Sequence, residues 1–407
     1  MPAQAEQEIA RVARDTYGRL VAYLAARTRD IAAAEDALSE AFLRALSTWP
    51  QSGLPQNPEA WLMTTARRIL IDDARKLRAQ GNYAYEQSLL EEAAVEAEDP
   101  DGFFPDERLK LLFVCAHPAI DLAVRTPLML QSILGLDAKR IASAFIVAPT
   151  TMGQRLVRAK RKILQANIPF RVPAADELPQ RLHAVQETIY AAYTAAGQAG
   201  KVAEQSGLRS EAIWLARILS AALPEPSSSR SLLGLLLLME SRKPSMAKAS
   251  TPYVPIAEQD PASWNHALIN EANTLLQSVS VDGKPSHFHL EACIAAVHAA
   301  RLRTGVTDWP SILQLYRLLL KGNPTIGAAV SYAAALAESG AADAADSVLQ
   351  SLRAHDVDIY QPYWAVRAQV KAMRKEPAEA LAAYERAIAL SADAGVQRFL
   401  QQRRDAL

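Results

Sequence analysis

Apolar residues recur at helical spacing along most of this chain. Met152, Leu156, Ala159 and Ile163 stand at i, i+4, i+7 and i+11, which places them on one side of a helix. A comparable apolar stripe runs through residues 58–78. Alternating β-branched runs, the pattern of half-buried strands, are absent from the sequence. The sequence therefore predicts an all-α fold.

Changes in composition and helical pattern along the chain predict four parts. They are a helical domain at 1–79, a flexible acidic linker at 80–107, a second helical domain at 108–168 and a helical-repeat domain at 169–407. Within the first domain Asp30 is expected to cap a helix, and three prolines predict a loop at 49–58.

The last part contains paired helices of tetratricopeptide type. Helices predicted at 325–339 and 341–354 form one pair, and those at 360–374 and 377–391 form another. In the second pair Pro377 follows the turn and the spacing Ala-x-x-x-Tyr-x-x-Ala comes after it. Stacked helix pairs build concave surfaces that suit a protein or peptide partner, so we expect a regulatory domain here.

Charge is segregated although the formal net charge of the 407 residues is zero. Residues 79–107 hold nine carboxylates, from Glu86 to Glu107, and no lysine or arginine. Between Asp137 and Asp176 there is no acidic residue but eight cations. Local charge therefore permits a nucleic-acid partner despite the neutral total. The linker's carboxylates suit either a nucleic-acid mimic or a plain disordered tether.

Other features of composition indicate an intracellular, cytoplasmic protein. The chain has two cysteines, which are too few for a disulfide framework. The N-terminus lacks the apolar run of a secretory signal, and no apolar run is long enough to span a bilayer. We expect no membrane partner.

The basic stretch from Asp137 to Ile163 predicts two helices joined by an apolar turn, with Pro149 starting the second helix. Such a unit can place the start of its second helix in a DNA major groove. The residues predicted to contact base edges or phosphates there are Thr150, Thr151, Gln154, Arg155, Arg158, Lys160, Arg161 and Lys162. A solvated basic face of an ordinary helix pair explains this segment alone equally well.

Three segments in this order resemble the extracytoplasmic-function sigma factors of the sigma-70 family. AAEDALSEAFLRALSTWP (33–50) is similar to region 2.2, which binds the β′ clamp of RNA polymerase. NPEAWLMTTARRILIDDARKLR (57–78) is similar to regions 2.3 and 2.4, which melt and read the −10 element. DAKRIASAFIVAPTTMGQRLVRAKRKI (137–163) is similar to region 4.2, which reads the −35 element. The rest resembles the subgroup with a tetratricopeptide-like C-terminal extension, through FVCAHPAID (113–121), IPFRVP (168–173) and IAEQDPASWNHALI (256–269).

The resemblance assigns roles to residues on two further helices. The residues expected to bind polymerase are Asp36, Ser39, Glu40 and Leu43, an exposed leucine with a charged rim. Those expected to bind the −10 strand are Gln56, Asn57, Trp61, Thr65, Arg68, Arg75 and Lys76, which combine stacking with phosphate neutralisation. Asn57 as a helix cap and Trp61 as a core residue are alternatives that the sequence leaves open.

Constellations that would indicate catalysis or a metal are weak. His289 and Cys293 stand at i, i+4 but lack a second ligand pair, and Cys115 with His117 lacks a companion acid. AAGQAGK (195–201) departs from the phosphate-loop spacing. We therefore expect no enzyme activity, no metal and no cofactor.

The sequence thus predicts an alternative sigma factor that joins the β′ clamp and β subunits of core RNA polymerase, recognises promoter DNA and carries a fused regulatory repeat. The alternative is a repeat-based adaptor whose basic modules bind DNA or a partner without polymerase.

Overall fold

The computed structural model describes residues 2–79, 106–145, 147–198, 202–223, 227–242, 253–279 and 284–407. Every regular element within these ranges is helical, which confirms the predicted all-α class. The predicted acidic linker lies outside the described residues except for Asp106 and Glu107. The chain forms two compact units, Met1–Ile218 and Leu219–Leu407.

The first unit begins with three long helices, α1 (Pro2–Thr28), α2 (Ile31–Ser52) and α3 (Pro58–Ala79). Asp30 caps α2 as predicted, because its Oδ1 accepts a hydrogen bond from the Ala33 amide at 3.1 Å. The three helices bury a common core, whose largest members include Leu20, Leu24, Leu38, Trp49, Leu62 and Met63.

One local prediction in this domain was wrong. Helix α2 continues to Ser52 with Pro50 inside it, where the sequence predicted a loop from residue 49. Trp49 is 2 % exposed, and its burial holds the last turn against the core despite the hydrogen bond that Pro50 cannot donate. Gly53, with φ of +85°, then ends the helix.

Four shorter helices follow, α4 (Arg108–Cys115), α5 (Leu122–Ser132), α6 (Ala138–Ala144) and α7 (Pro149–Gln165). The apolar stripe predicted for α7 is buried, since Met152, Leu156, Ala159 and Ile163 are all less than a tenth exposed. Helix α6 starts after Asp137, whose Oδ1 accepts from the Arg140 amide at 2.8 Å.

Two more helices, α8 (Leu178–Gln198) and α9 (Val202–Ala222), contribute to the first unit. Helix α8 packs on α4 and α5, and its buried Arg181 donates a hydrogen bond to the Phe113 carbonyl. Arg108 of α4 lies 3.3 Å from the ring centroid of Trp214 in α9 and forms an ion pair with Glu211. These contacts lie within the compact unit Met1–Ile218.

The second unit is a succession of packed helices with a 3₁₀ turn at Pro261–Ser263. Its helices are α10 (Ser228–Ser241), α11 (His266–Gln277), α12 (His287–Thr304), α13 (Trp309–Gly322), α14 (Ile326–Glu338), α15 (Ala342–Gln350), α16 (Ala354–Val357), α17 (Gln361–Met373), α18 (Pro377–Leu390) and α19 (Ala394–Asp405). The four helices predicted between 325 and 391 correspond to α14, α15, α17 and α18. The short α16 had no counterpart in the sequence interpretation.

Small residues let the helices of the second unit approach closely. Ala333, Ala337 and Ala345 are fully buried with Leu349 and Val370 where α14, α15 and α17 meet. Between α17 and α18 the buried small residues are Ala368, Ala383 and Ala387. Along the described ranges, no helix is long and apolar enough to cross a membrane.

Candidate polymerase and DNA interface

Helix α2 presents one face to solvent. Asp36, Ser39 and Leu43 are exposed, and Leu43 leaves 61 % of its surface uncovered. Glu40 lies on the same face and accepts a hydrogen bond from Arg44 Nε at 3.1 Å. The arrangement is an exposed leucine with carboxylates around it, a surface that can bind a protein partner through an apolar anchor and a charged rim.

Helix α3 carries the cations predicted to meet a DNA strand. Arg68 is exposed, and Arg75 pairs with Asp72 at 3.5 Å while Lys76 pairs with Asp73 at 2.8 Å. The hydrogen bond from Lys76 to Asp73 raises the pKa of the lysine above its usual value. Exposed ion pairs of this kind are weak, so a phosphate can replace the carboxylates.

Trp61 and Thr65, on the same helix, are half-buried. The Trp61 ring lies edge-on to the buried ring of Trp49, with centroids 5.4 Å apart and planes at 72°. Through this ring contact Trp61 contributes to packing. The exposed portion of the Trp61 side chain remains accessible to a base.

The loop before α3 contains the other two predicted DNA contacts. Gln56 is exposed. Asn57 is also exposed, and its Oδ1 accepts from the Ala60 amide at 3.0 Å, so it caps α3. The capping bond uses the side-chain oxygen, so the amide nitrogen of Asn57 can donate to another group.

Helix α7 exposes a continuous basic surface. The exposed members of the predicted set are Thr150, Thr151, Gln154, Arg155, Arg158, Arg161 and Lys162. Arg155, Arg158 and Lys162 border a surface cavity of about 400 Å³ whose far wall includes Ile120 and Asp121 at the start of α5. With no acidic residue in α7 itself, this surface is suited to phosphate neutralisation.

Lys160 differs from the other cations of α7. Its side chain is only 9 % exposed and forms an ion pair with Glu35 of α2. The other oxygen of Glu35 accepts from Ser132 Oγ of α5 at 2.9 Å. The Lys160 ammonium therefore belongs to a contact between α2 and the α5–α7 helices.

Helix α1 also packs against the end of α5. A Cβ on Gly18 would lie 1.9 Å from the Ile133 carbonyl oxygen, so α1 touches the end of α5 through backbone atoms. Tyr17 lies against Gly135, and burial, followed by the charges of Glu35 and Asp36, raises the pKa of its hydroxyl. Only glycine at position 18 permits this approach.

The sequence did not identify the residues that join these helices. Glu35, Ser132 and Lys160 are brought together across as many as 125 positions of the chain. Local patterns carry no signal for pairs so far apart. Arg108 and Arg181 were missed for the same reason, although buried arginines are uncommon enough to require a partner.

The cysteine and histidine pairs considered above as catalytic or metal sites are packed among neighbouring side chains. Burial raises the pKa of the Cys115 thiol, which disfavours the thiolate that a nucleophile needs. His289 Nε2 lies 3.5 Å from Cys293 Sγ and its Nδ1 lies 3.3 Å from Ser231 Oγ. Both ring nitrogens of His289 are thus engaged by neighbouring side chains.

Comparison with known proteins identifies two families along the chain. Residues 12–80, which span most of α1 to α3, match the family Sigma-70 region 2. Residues 181–280 match a Family of unknown function (DUF6596). The chain is 32 % identical over 385 residues to Uncharacterized protein R00370 of Rhizobium meliloti (strain 1021), covering 93 % of this chain and 91 % of that protein. No solved structure matches.

The chain therefore belongs to the same family as the Rhizobium protein, and its residues 12–80 are a sigma-70 region 2 domain. Sigma-70 region 2 is a module of transcription initiation factors, with a role in binding RNA polymerase.

Proposed function

We propose that this protein is an alternative sigma factor of the extracytoplasmic-function type, which acts in the cytoplasm and directs core RNA polymerase to a set of promoters. The observation that carries the proposal is the exposed Asp36–Leu43 face of α2 within a sigma-70 region 2 domain. An apolar anchor with acidic neighbours suits the β′ clamp, and the second helical domain is proposed to contact the β subunit.

In this proposal α3 and the preceding loop read the −10 element, with Gln56, Asn57 and Trp61 near the bases. Helices α6 and α7 act as a helix-turn-helix that reads the −35 element. Gln154, Arg155 and Arg158 supply base contacts worth roughly 1–3 kcal/mol each. The exposure of these side chains supports the assignment.

The remaining helices are proposed to form a tetratricopeptide-like regulatory domain, with its beginning at residue 169. The repeated pairs α14–α15 and α17–α18 support this proposal. The protein or peptide ligand expected from the sequence stays a prediction.

Polymerase docking tests the proposal directly. The double variant Asp36→Lys/Glu40→Lys should bind core polymerase at least ~100-fold more weakly, a loss of about 2.7 kcal/mol, because it reverses the charge around Leu43. Retention of the purified variant on immobilised core enzyme measures the effect.

A matched control separates this surface from net charge. Asp176 and Glu385 are exposed outside the proposed interface, and Asp176→Lys/Glu385→Lys makes the same change in total charge. The control should bind core polymerase and support run-off transcription like the unchanged protein. Undiminished binding by a folded Asp36→Lys/Glu40→Lys variant would favour the alternative, an adaptor that works without polymerase.

A further inference from the structure

The segment Tyr253–Asp260 is held firmly against the helices of the second unit. Arg301 of α12 donates to three of its carbonyl oxygens, those of Ala257 at 2.7 Å, Ile256 at 3.0 Å and Gln259 at 2.6 Å. Three bonds from one buried guanidinium make the segment a fixed wall.

Helix α19 holds the same segment at two further points. Glu258 forms an ion pair with Arg403, and the Tyr253 ring lies edge-on to Phe399 with centroids 5.5 Å apart. The segment therefore runs between α12 and α19 and is anchored at both.

A cavity of about 380 Å³ lies between this segment and helices α12, α13, α14, α17, α18 and α19. Its size is within the range of small-molecule sites, about 300–1,000 Å³. Rings contributed by Trp309, Tyr316, Tyr384 and Phe399 form much of its wall. Alanines at 334, 335 and 365 fill the helix positions between the rings and leave the volume open.

The polar groups of the cavity are few. His298 is 7 % exposed, stands edge-on to Trp309 with centroids 5.7 Å apart, and borders the cavity. Its Nδ1 has no hydrogen-bond partner among the described residues. Buried polar atoms are nearly always paired, so the His298 imidazole has hydrogen-bonding capacity that a partner can use.

The buried part of the cavity wall carries little charge. Burial, followed by the nearby Arg242 and Arg301, lowers the pKa of His298 to about 4, so the imidazole is neutral at pH 7. Glu258 is neutralised by Arg403, and Glu338 accepts from Gln369 Nε2 at 2.7 Å. A neutral imidazole offers one donor and one acceptor.

We propose that this cavity binds an uncharged, planar, ring-bearing small molecule whose rings contact Trp309 and Tyr384 and whose polar edge bonds to His298. The chain's own segment Tyr253–Asp260 forms one wall of the cavity. The second unit is thus a small-molecule sensor, and this assignment does not depend on the role of the first unit.

The test uses the full chain and the neutral probe N-phenyl-1-naphthylamine, whose fluorescence rises in apolar surroundings. We expect saturable binding at one site. Ala365→Trp fills the cavity and should weaken probe binding at least ~10-fold, which is about 1.4 kcal/mol. Ala382→Trp, on the exposed side of α18, is the matched control and should bind like the unchanged protein.

Two further measurements identify the polar contact and guard against misfolding. His298→Phe keeps a ring of similar size, and it should lower the preference for 2-naphthol over naphthalene in displacing the probe at least fivefold. If Ala365→Trp has lost helical circular dichroism, Ala334→Leu replaces it. Absence of saturable binding, equal binding by the cavity-filling and control variants, or an unchanged naphthol preference would each overturn the assignment.

Discussion

At the scale of residues, Lys160 and Lys162 lie two positions apart in α7 and have different surroundings. Lys162 is exposed at the rim of the basic cavity, while the Lys160 ammonium is paired with Glu35. A free lysine that neutralises a DNA phosphate releases a counterion from the DNA. A lysine that is already paired with a carboxylate neutralises no phosphate and releases no counterion.

We therefore expect Lys162→Ala to lower the salt dependence of promoter binding by about one unit in the slope of log K against log salt. Lys160→Ala should leave that slope unchanged and lower the stability of the first unit. Fluorescence anisotropy with promoter DNA at several salt concentrations gives both slopes. Equal slope changes in the two variants would place Lys160 on DNA, as the sequence alone suggested.

His298 makes the stability of the second unit depend on pH. Its pKa falls from the ordinary value of 6.5 to about 4, with burial as the first cause. Between those values the unfolded chain binds a proton that the folded chain does not, so stability is complete above pH 6.5 and declines as pH falls toward 4. The loss in the free energy of unfolding should reach about 3 kcal/mol at most.

Urea unfolding of the intact chain at pH 7, 6 and 5, followed by tryptophan fluorescence, measures this decline. His298→Phe lacks the titrating group and should flatten it. If His298→Phe loses stability with the same pH profile as the unchanged chain, other titrating groups cause the decline.

At the scale of elements, the close crossing of α1 and α5 depends on Gly18. An added methyl group would lie 1.9 Å from the Ile133 carbonyl oxygen, so the backbones must move apart. Gly18→Ala should therefore lower the free energy of unfolding by roughly 1–3 kcal/mol, despite the better helix propensity of alanine.

Gly153→Ala is the matched control for Gly18→Ala. Gly153 also lies in a helix, but a Cβ there meets nothing within 4 Å. This variant should gain about 0.5–1 kcal/mol through backbone entropy. Thermal unfolding of both variants distinguishes the two outcomes, and a stabilised Gly18→Ala would refute the close crossing.

Most individual helices could be predicted from the sequence, whereas their contacts could not. Pro149 at the start of α7 and the four buried residues of its stripe follow from local rules that act within a few turns. The pair between Glu35 and Lys160 depends on how distant helices pack, and no periodicity encodes it. For the same reason the exposed faces of α2 and α7 were predictable and the burial of Lys160 was not, while for Trp61 the sequence left a core role open.

The contact between α2 and α7 also bears on the proposed promoter reading. In that proposal α3 reads the −10 element and α7 reads the −35 element, which are two separate sites along the DNA. Helices α2 and α7 touch through Glu35 and Lys160, so this pair has to break before both elements can be read at once.

At the scale of the whole molecule, the first unit includes two helices that a two-domain sigma factor would not need. Helices α8 and α9 bury Leu182, Val185 and Ile189 and pair Arg108 with Glu211. Removing them exposes apolar surface of α4 and α5 and leaves the buried guanidinium of Arg108 without Glu211 and Trp214. Arg108 keeps its ion pair with Asp106 at 3.0 Å, so the exposed apolar surface of α4 and α5 is the main loss of stability.

Two fragments test whether these helices belong to the folded core of the first unit. The fragment 1–173 lacks α8 and α9, and the fragment 1–223 retains both. We expect 1–223 to unfold cooperatively, because it keeps every contact of α4 and α5 described above, and 1–173 to be less stable, because it exposes apolar surface of α4 and α5 to water. Run-off transcription with core polymerase should fall strongly for 1–173, since α7 packs on α5 and α5 in turn packs on α8. Equal stability and equal transcription by the two fragments would show that α8 and α9 only lie against the DNA-binding helices and do not support them.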